Sequence, residues 1–313
     1  MFEAIHDLIK SYPRIIIHRH KNPDGDALGS QLGLKLILKE NYPEKEIFAV
    51  GDMTPRYAFM LSEPFDIIED TDYRGALAIV LDTSASALIS DDRYRLADAT
   101  ARIDHHIFCE KIADHEVTDT SFESCCGMIT AMAMECGFKV SSDAAKALYT
   151  GMITDSGRFR YDSTTAQTFR LAAFLAERPF STTEIYKNLY ADDLSMMQLR
   201  AKYTLKIQTT PERVAYIYTP RDEALGYGVD TFTLSRAMVG VMSDIRGIDT
   251  WVNFTETDSG VLCEIRSNRY NVNPVATKYG GGGHQKASGA TLKNKEEAMA
   301  LLEDLKSLSE ENK

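Results

Sequence analysis

The sequence has little of what would settle its class quickly. It contains five cysteines in 313 residues (Cys109, Cys125, Cys126, Cys136 and Cys263), an odd set with no CxxC pair. That excludes a disulfide framework and a thiolate zinc site, and it points to reduced thiols. No apolar run approaches the roughly 18 residues of a membrane span. The opening MFEAIHDLIK carries acids among its apolar residues, unlike a secretory leader. A cytoplasmic location with no membrane partner is therefore expected. Positive charge is scarce: 35 Lys and Arg stand against 46 Asp and Glu, a net charge of −11. Long nucleic acid is bound through excess cation, so a polymer-coating protein is excluded, whereas a small anion in a local pocket is not. There is one tryptophan, no internal repeat, and no low-complexity segment apart from Gly280–Gly283.

What is present suffices for substantial cores: 44% of the residues are hydrophobic, over a length that suggests two domains. In the first half, apolar runs at Arg14–His18, Glu46–Val50, Ala76–Leu81 and Ala101–Ile103 alternate with helical patterns. The helical patterns are Ala27–Glu40, with Leu28, Leu32, Leu36 and Ile37 as its apolar positions, then Ser124–Cys136, Asp143–Ile153 and Ala166–Glu177. Strands apolar throughout and separated by helices indicate an α/β domain whose parallel sheet has helices on both faces. Residues 181–208 are polar and helix-compatible, and they read as a helical linker between a first domain, 1–180, and a second, 209–313. In the second, VAYIYT (214–219), WVNFTET (251–257) and VLCEIRS (261–267) predict strands of a smaller α/β domain. The last two are joined by a turn at Asp258-Ser259-Gly260. Residues Lys295–Lys306 carry Ala298, Leu301, Leu302 and Leu305 at helical spacing.

In an open α/β sheet, ligands gather at the carboxyl ends of the strands. Four polar clusters of the first half fall at such ends or on connected loops. They are His20, Asp24 and Asp26 in HRHKNPDGDALGS, Asp82 after ALAIVL, Asp104-His105-His106 after ARI, and Asp155 in GMITDSGRFRY. Singly, each has an ordinary explanation as a helix cap or a packed histidine. Together they can bring carboxylates and imidazoles to one pocket. Mixed oxygen and nitrogen donors suit manganese or magnesium, whereas thiolates mark structural zinc. Two divalent ions roughly 3.5–4 Å apart can share a water, lower its pKa and neutralise charge developing on a phosphoryl oxygen. The constellation predicts hydrolysis of a phosphate ester or anhydride.

The segments HKNPDGDALGS, VLDTS, IDHH and GMITDSGRF resemble, in order and spacing, the four motifs of the DHH phosphoesterase superfamily. YGGGGHQKASGAT (279–291) resembles the glycine-rich signature of the DHH-associated C-terminal domain. The whole is similar to the small bacterial nanoRNase/pAp phosphatase group, which includes stand-alone phosphodiesterases acting on linear pApA and cyclic di-AMP. The resemblance implies two divalent ions, Mn²⁺ first, with Mg²⁺ or Co²⁺ as alternatives. It places His20, Asp24 and Asp82 on one ion and Asp26, Asp82, His105 and Asp155 on the other, so that Asp82 bridges. His106 would face the phosphate, and Asp104 would orient a histidine, since ligating imidazoles give their second N–H to an acceptor. One position departs from the pattern: many relatives carry a glutamate where Gly127 stands in SCCGMIT. No ligand is lost by it, but the contacts behind the ligands are expected to differ.

In the second domain, Asn273-Pro274 predicts a helix start with Asn273 as the cap. The helix should stop near Tyr279, with Gly280 in the left-handed conformation. Gly281, Gly282 and Gly283 would then bring backbone N–H groups close to an anion, and His284 would add a hydrogen bond. Arg266, with Ser267 beside it, resembles the arginine by which relatives hold a terminal phosphate, a task suited to a planar fork of donors. The resemblance implies an active site in the cleft between the domains, taking dinucleotides or very short single-stranded RNA and releasing 5′-mononucleotides. Cyclic di-AMP and pAp are further expected substrates, and a homodimer is the expected assembly. Three rival readings share these residues. An inorganic pyrophosphatase or exopolyphosphatase would want more Lys and Arg near GGGGH, and a processive RecJ-type exonuclease a longer chain with a basic channel. A cyclic di-AMP sensor without turnover would not need six metal ligands.

Overall fold

The computed structural model describes residues 1–52, 54–61 and 64–311, which divide into two units, Met1–Ala191 and Asp192–Lys313. The predicted linker holds two helices, Thr182–Tyr190 and Leu194–Leu205, and the boundary between the units falls between them. No helix of the described residues is long and apolar enough to cross a membrane.

The first unit is built on one parallel five-stranded sheet. Its strands are β1 (Arg14–His18), β2 (Glu46–Ala49), β3 (Ala76–Leu81), β4 (Ala99–Asp104) and β5 (His115–Thr118), in the order β2-β1-β3-β4-β5. β3 is buried at all six positions, because α-helices cover one face of the sheet and short 3-10 turns with their loops cover the other. The unpredicted strand is β5. Its HEVT is only half buried and pairs with β4 alone, so it lacks the apolar run that betrays a central strand.

The helices of this unit are α1 (Glu3–Ser11), α2 (Gly25–Asn41), α3 (Cys125–Cys136), α4 (Ser142–Asp155), α5 (Ala166–Ala176) and α6 (Thr182–Tyr190). Helix α2 differs from its sequence reading. Leu32 and Leu36 are only partly buried, while Leu34 and Leu38 join Leu28 and Ile37 in the interior. The apolar stripe is blurred because α2 is enclosed on several sides, by the sheet, by α3 and by α4. It meets α4 backbone to backbone. A methyl group on Gly29 would lie 2.6 Å from the Ala147 carbonyl oxygen, and one on Gly151 would lie 3.0 Å from the Gly25 carbonyl oxygen. Only glycine allows that approach. It brings the first turn of α2, with Asp26, beside the last turn of α4, with Asp155.

The second unit carries a mixed sheet in the order β10-β11-β9-β8-β7-β6. Its strands are β6 (Gln208–Thr209), β7 (Val214–Thr219), β8 (Thr250–Thr257), β9 (Gly260–Ser267), β10 (Gly282–Gly283) and β11 (Ala287–Leu292). The predicted hairpin is present: Thr257 pairs with Gly260 across Asp258-Ser259. Burial alternates strictly along β9, the mark of a strand with one face in a core. The helices are α7 (Leu194–Leu205), α8 (Arg221–Gly226), α9 (Thr231–Met238), α10 (Asn273–Lys278) and α11 (Lys295–Glu311). Val252, Phe254 and Ile265 pack with Leu301 and Leu305 of α11, while Ala215, Ile217 and Trp251 pack with Leu234 and Met238 of α9. Asn273 does not cap α10, as the sequence suggests. It is the first helical residue, its N–H donates to Asn271 Oδ1, and its own amide donates to the Gly283 carbonyl.

Candidate metal centre

The strand order places a topological switch between β1 and β3, because the chain leaves β1 for β2 on one side and returns as β3 on the other. Crevices of this kind collect ligands. The register sets His18 level with Val80 and Leu81 level with Ile103, so the ends of β1, β3 and β4 stand side by side. His20, Asp82 and the Asp104-His105-His106 run leave from those ends. His18 stays behind in the core, its ring packed near Tyr73 and Tyr94, and burial pulls its pKa down to about 4.

Asp82 is the pivot of the site. It is 2% exposed, and its backbone is left-handed with φ at +51°, an unfavourable conformation best tolerated by Asp or Asn outside glycine. That turn aims the two carboxylate oxygens in different directions. Oδ2 lies 3.5 Å from His20 Nε2, which is in turn 3.9 Å from Asp24 Oδ1. Oδ1 lies 3.5 Å from His105 Nε2, which also faces Asp155 Oδ2 at 3.4 Å and Asp26 Oδ2 at 3.7 Å. Three groups of potential ligand atoms result: His20, Asp24 and Asp82; Asp26, His105 and Asp155; and Asp82, His105 and His106.

The surroundings leave these atoms free for a cation. His20 Nδ1 lies 2.9 Å from the Lys21 carbonyl oxygen and His105 Nδ1 lies 3.4 Å from that of Phe122. Each backbone acceptor takes the Nδ1–H and turns Nε2 toward the carboxylates. Asp24 Oδ1 caps α2 through the N–H groups of Asp26 and Ala27, so capping and metal binding are compatible at this residue. Asp26 is fully buried and accepts from the N–H groups of Cys125 and Cys126 at 2.7 and 2.9 Å, the first turn of α3. The two cysteine thiols point elsewhere, to the carbonyls of Ile103 and Asp26. Asp82 Oδ1 is buried without a hydrogen-bond donor. A buried carboxylate oxygen left so is costly unless something positive sits beside it.

The charges say the same. Burial works against a protonated His20, yet the Asp82 carboxylate outweighs it and lifts the pKa to about 9. Burial likewise opposes charge on His105, but Asp82, Asp26 and Asp155 together raise it to about 10. Asp155 is pushed up to about 7, first by burial and then by its fellow carboxylates, and Asp26 is raised well above the ordinary range by burial, Asp82 and Asp155. Crowded acids holding on to protons, and histidines refusing to lose theirs, describe a pocket short of positive charge. Oxygen and imidazole donors without thiolate fit a hard or borderline divalent ion.

Asp104, expected to orient a histidine, is fully buried, and its Oδ1 accepts from His106 Nδ1 at 2.7 Å while Oδ2 accepts from Arg102, the first of several supports not read from the sequence. Arg102 is itself buried and also donates to the Glu110 carbonyl. Its period-two spacing from Asp104 on β4 was the available signal. Arg19, also buried, bonds Gln31, Asp52 and the His20 carbonyl and so pins the loop that carries His20. The departure at position 127 has a structural counterpart. A methyl group on Gly127 would lie 2.6 Å from Glu123 Oε1. The Glu123 carboxylate accepts from Ser124 Oγ and Thr168 Oγ1, and Ser124 caps α3 by accepting from the Gly127 N–H. A buried acid thus stands behind the helix end that holds Asp26, reached from position 123.

In the second unit, Arg266 on β9 is partly buried and pairs with Glu264 at 3.0 Å. The Ser267 hydroxyl donates to the Asp249 carbonyl and accepts from the N–H groups of Arg269 and Tyr270. Gly281 and Gly283 have a reason within the chain itself: methyl groups there would lie 2.1 Å from the Gly289 carbonyl oxygen and 2.6 Å from that of Ala287. Gly282 and Gly283 form β10, and His284 is exposed at the turn into β11.

Residues 14–152 match the DHH family N-terminal domain, and residues 225–311 match the DHHA1 domain. The chain is 37% identical to the bifunctional oligoribonuclease and PAP phosphatase NrnA of Bacillus subtilis over 307 residues, covering 97% of each chain. It is 33% identical to the probable bifunctional oligoribonuclease and PAP phosphatase NrnA of Streptococcus mutans, covering 98% of each. The crystal structure of an exopolyphosphatase-related protein from Bacteroides fragilis superposes with a TM-score of 0.86 at 21% identity, over 98% of this chain and 95% of that one. Domain content, full-length relatives and a pocket in which six acid and histidine side chains converge agree, and the chain belongs to the DHH phosphoesterase superfamily as a nanoRNase-like member.

Proposed function

We propose that this chain is a metal-dependent phosphodiesterase that hydrolyses linear dinucleotides and very short oligoribonucleotides, pApA among them, to 5′-mononucleotides, with pAp and cyclic di-AMP as further substrates. The observation that carries the reading is Asp82, whose two carboxylate oxygens each face a different histidine and its acids. The relatives named as oligoribonucleases support the substrate class. In this reading His20, Asp24 and Asp82 hold one divalent ion and Asp26, Asp82, His105 and Asp155 the other, Mn²⁺ in both. Such ions, when bound, supply water of lowered pKa and neutralise phosphoryl charge.

The rest of the chemistry belongs to the chain. With Nδ1 committed to Asp104, His106 offers Nε2 to the phosphate and can give its proton to the departing ribose oxygen. Against burial, His106 first and Arg102 with it hold the Asp104 carboxyl below its ordinary pKa, and Arg102 keeps it in place for that task. Arg266, Ser267, the loop Gly281-Gly282-Gly283 and His284 clamp a terminal phosphate, Ser267 by holding the turn that carries Arg269 and Tyr270. Measuring a substrate from its end favours the shortest RNAs, and a net charge of −11 is at odds with long nucleic acid. Free thiols at all five cysteines accord with a cytoplasmic protein, and a homodimer is the assembly in this reading.

A product-resolved assay with Mn²⁺ over pApA, longer RNA, pAp, cyclic di-AMP, pyrophosphate and polyphosphate tests the proposal. AMP is expected from pApA fastest, with pyrophosphate and polyphosphate untouched. Tight binding of cyclic di-AMP with no turnover of any substrate would sink it.

The histidine pKa values give a second test. Raised folded-state values mean that, without metal, the pairing of His20 and His105 with their carboxylates stabilises fully below the unfolded value of 6.5. That contribution is lost as pH rises through about 9 to 10. Metal binding runs the other way, since each ligating histidine must release its proton. The rise in melting temperature on adding Mn²⁺ should therefore be larger at pH 8.5 than at pH 6.5, the apparent affinity climbing up to about tenfold per pH unit for each proton released. Equal shifts at the two pH values would remove the histidines from the ligand set.

A further inference from the structure

Immediately after Asp155 the backbone does something unusual. Gly157, Arg158 and Phe159 are consecutively left-handed, with φ of +58°, +65° and +61°. A left-handed turn is unfavourable for residues with a Cβ and persists only where surroundings enforce it, which is most often at functional sites. Here the enforcement is visible. The Arg158 N–H donates to the Ile153 carbonyl, the Phe159 N–H to Ser156 Oγ, and the Phe159 ring packs against Tyr149 and Phe169. The outcome is that Phe159 is turned inward and Arg158 outward, three residues from an acid of the metal centre.

The outward arginine does not stand alone. Its guanidinium lies over the ring of Tyr190, the last residue of α6, at 4.6 Å from the centroid, and the Tyr186 ring lies beside that of Tyr190 at 6.0 Å, tilted by 36°. Helix α6 touches the short helical segment Pro55–Met60, which in turn touches α2, whose first turn follows Asp24. In that segment the Arg56 guanidinium sits 5.4 Å from the ring centroid of the buried Tyr57. Arg158 thus lies three residues beyond Asp155, over a tyrosine on a helix that borders the segment packed against α2.

We propose that the Arg158–Tyr190 layer is a nucleobase subsite: the base next to the scissile phosphate stacks on the open face of the Arg158 guanidinium, which Tyr190 backs. The proposal rests on the dinucleotide reading above and deepens it. Single-stranded RNA is held by stacking on aromatic rings and guanidinium planes, which accepts any base because every base has a π face. A cation in the layer also suits the phosphate that accompanies the base. Arg56 and Tyr57 position the layer and do not themselves contact the base.

The test is calorimetric titration of AMP and of ribose 5-phosphate into the full chain in EDTA, with Arg158→Met, Tyr190→Leu and Tyr190→Phe alongside. Arg158→Met and Tyr190→Leu are each expected to weaken AMP binding by about tenfold, the size of one lost stacking contact. Tyr190→Phe should bind AMP as the wild type does, and ribose 5-phosphate should not distinguish Tyr190→Leu from wild type. Wild-type AMP affinity in Tyr190→Leu would overturn the proposal, as would equal loss of both ligands or no AMP binding by the wild type. With Mn²⁺ present, the same two variants should raise KM for pApA about tenfold and leave kcat within about twofold. If the titrations behave as stated while the wild type fails to cleave pApA, the subsite stands and the hydrolytic reading falls.

Discussion

Asp82→Asn will remove turnover of pApA while leaving the protein folded. Asparagine keeps the shape of the side chain and tolerates the left-handed backbone at this position, where φ is +51°. What is lost is one negative charge between His20 and His105, the charge that lets a single carboxylate serve both halves of the pocket. Paired metal ions contribute several kcal/mol of charge stabilisation in phosphoryl chemistry. A fall in kcat of at least about 10³-fold, about 4 kcal/mol, is therefore expected. Two readouts should move together: initial rate with Mn²⁺, and the rise in melting temperature that Mn²⁺ confers on the wild type, which the variant should lack. A variant that keeps both would show that Asp82 joins nothing, and the shared-carboxylate account would fail with it.

Gly151→Ala is expected to destabilise the first unit measurably through a single methyl group. Its new carbon would lie 2.2 Å from Cys126 Sγ, 3.0 Å from the Gly25 carbonyl oxygen and 3.1 Å from Asp26 Cα. Two of those three neighbours are main chain and cannot rotate away. Overpacking of this kind costs about 1–3 kcal/mol, and at the upper end the melting temperature of a chain this size falls by about 5 °C or more. Because the displaced backbone carries Asp26, activity should fall along with stability. Cys126→Ala added to Gly151→Ala should return part of the lost melting temperature by clearing the sulfur, and only part, since the backbone contacts remain. Thermal melts of the two single variants and the double decide it. An unaltered melt for Gly151→Ala would mean that α2 and α4 are not in such close contact.

The legible parts of this fold are those whose cause is local. β1 and β3 announce themselves as apolar runs, and the acids and histidines beyond them follow from the rule that strand ends carry chemistry. Helices α3, α4 and α5 differ from their sequence readings by a residue or two at their ends. The less legible parts depend on neighbours far along the chain. β5 is a strand only because β4 offers it an edge, and its HEVT has no pattern of its own. Arg102 reads as an odd charge in a strand until Asp104, Glu110 and Glu116 are seen around it. Asn273 looked like a cap from its place before a proline, but its amide is drawn instead to the carbonyl of Gly283, ten residues on. The glycine run suggested room for an anion, whereas two of its members are required by the closeness of β10 to β11. Patterns in sequence identify which side chains are suited to a site, but not which long-range partner claims each one.

The carboxylate of Glu123 fills space that a side chain at position 127 would need, and this ties the two positions together. A lineage that acquires a side chain at 127 must push the Glu123 carboxylate from its place, and one that gives up Glu123 leaves Ser124 and Thr168 without their shared acceptor. Each step is uphill taken alone, in either order. Once adopted, the arrangement resists reversal by single mutation, so descendants should inherit the pair as a unit even while the surrounding sequence drifts.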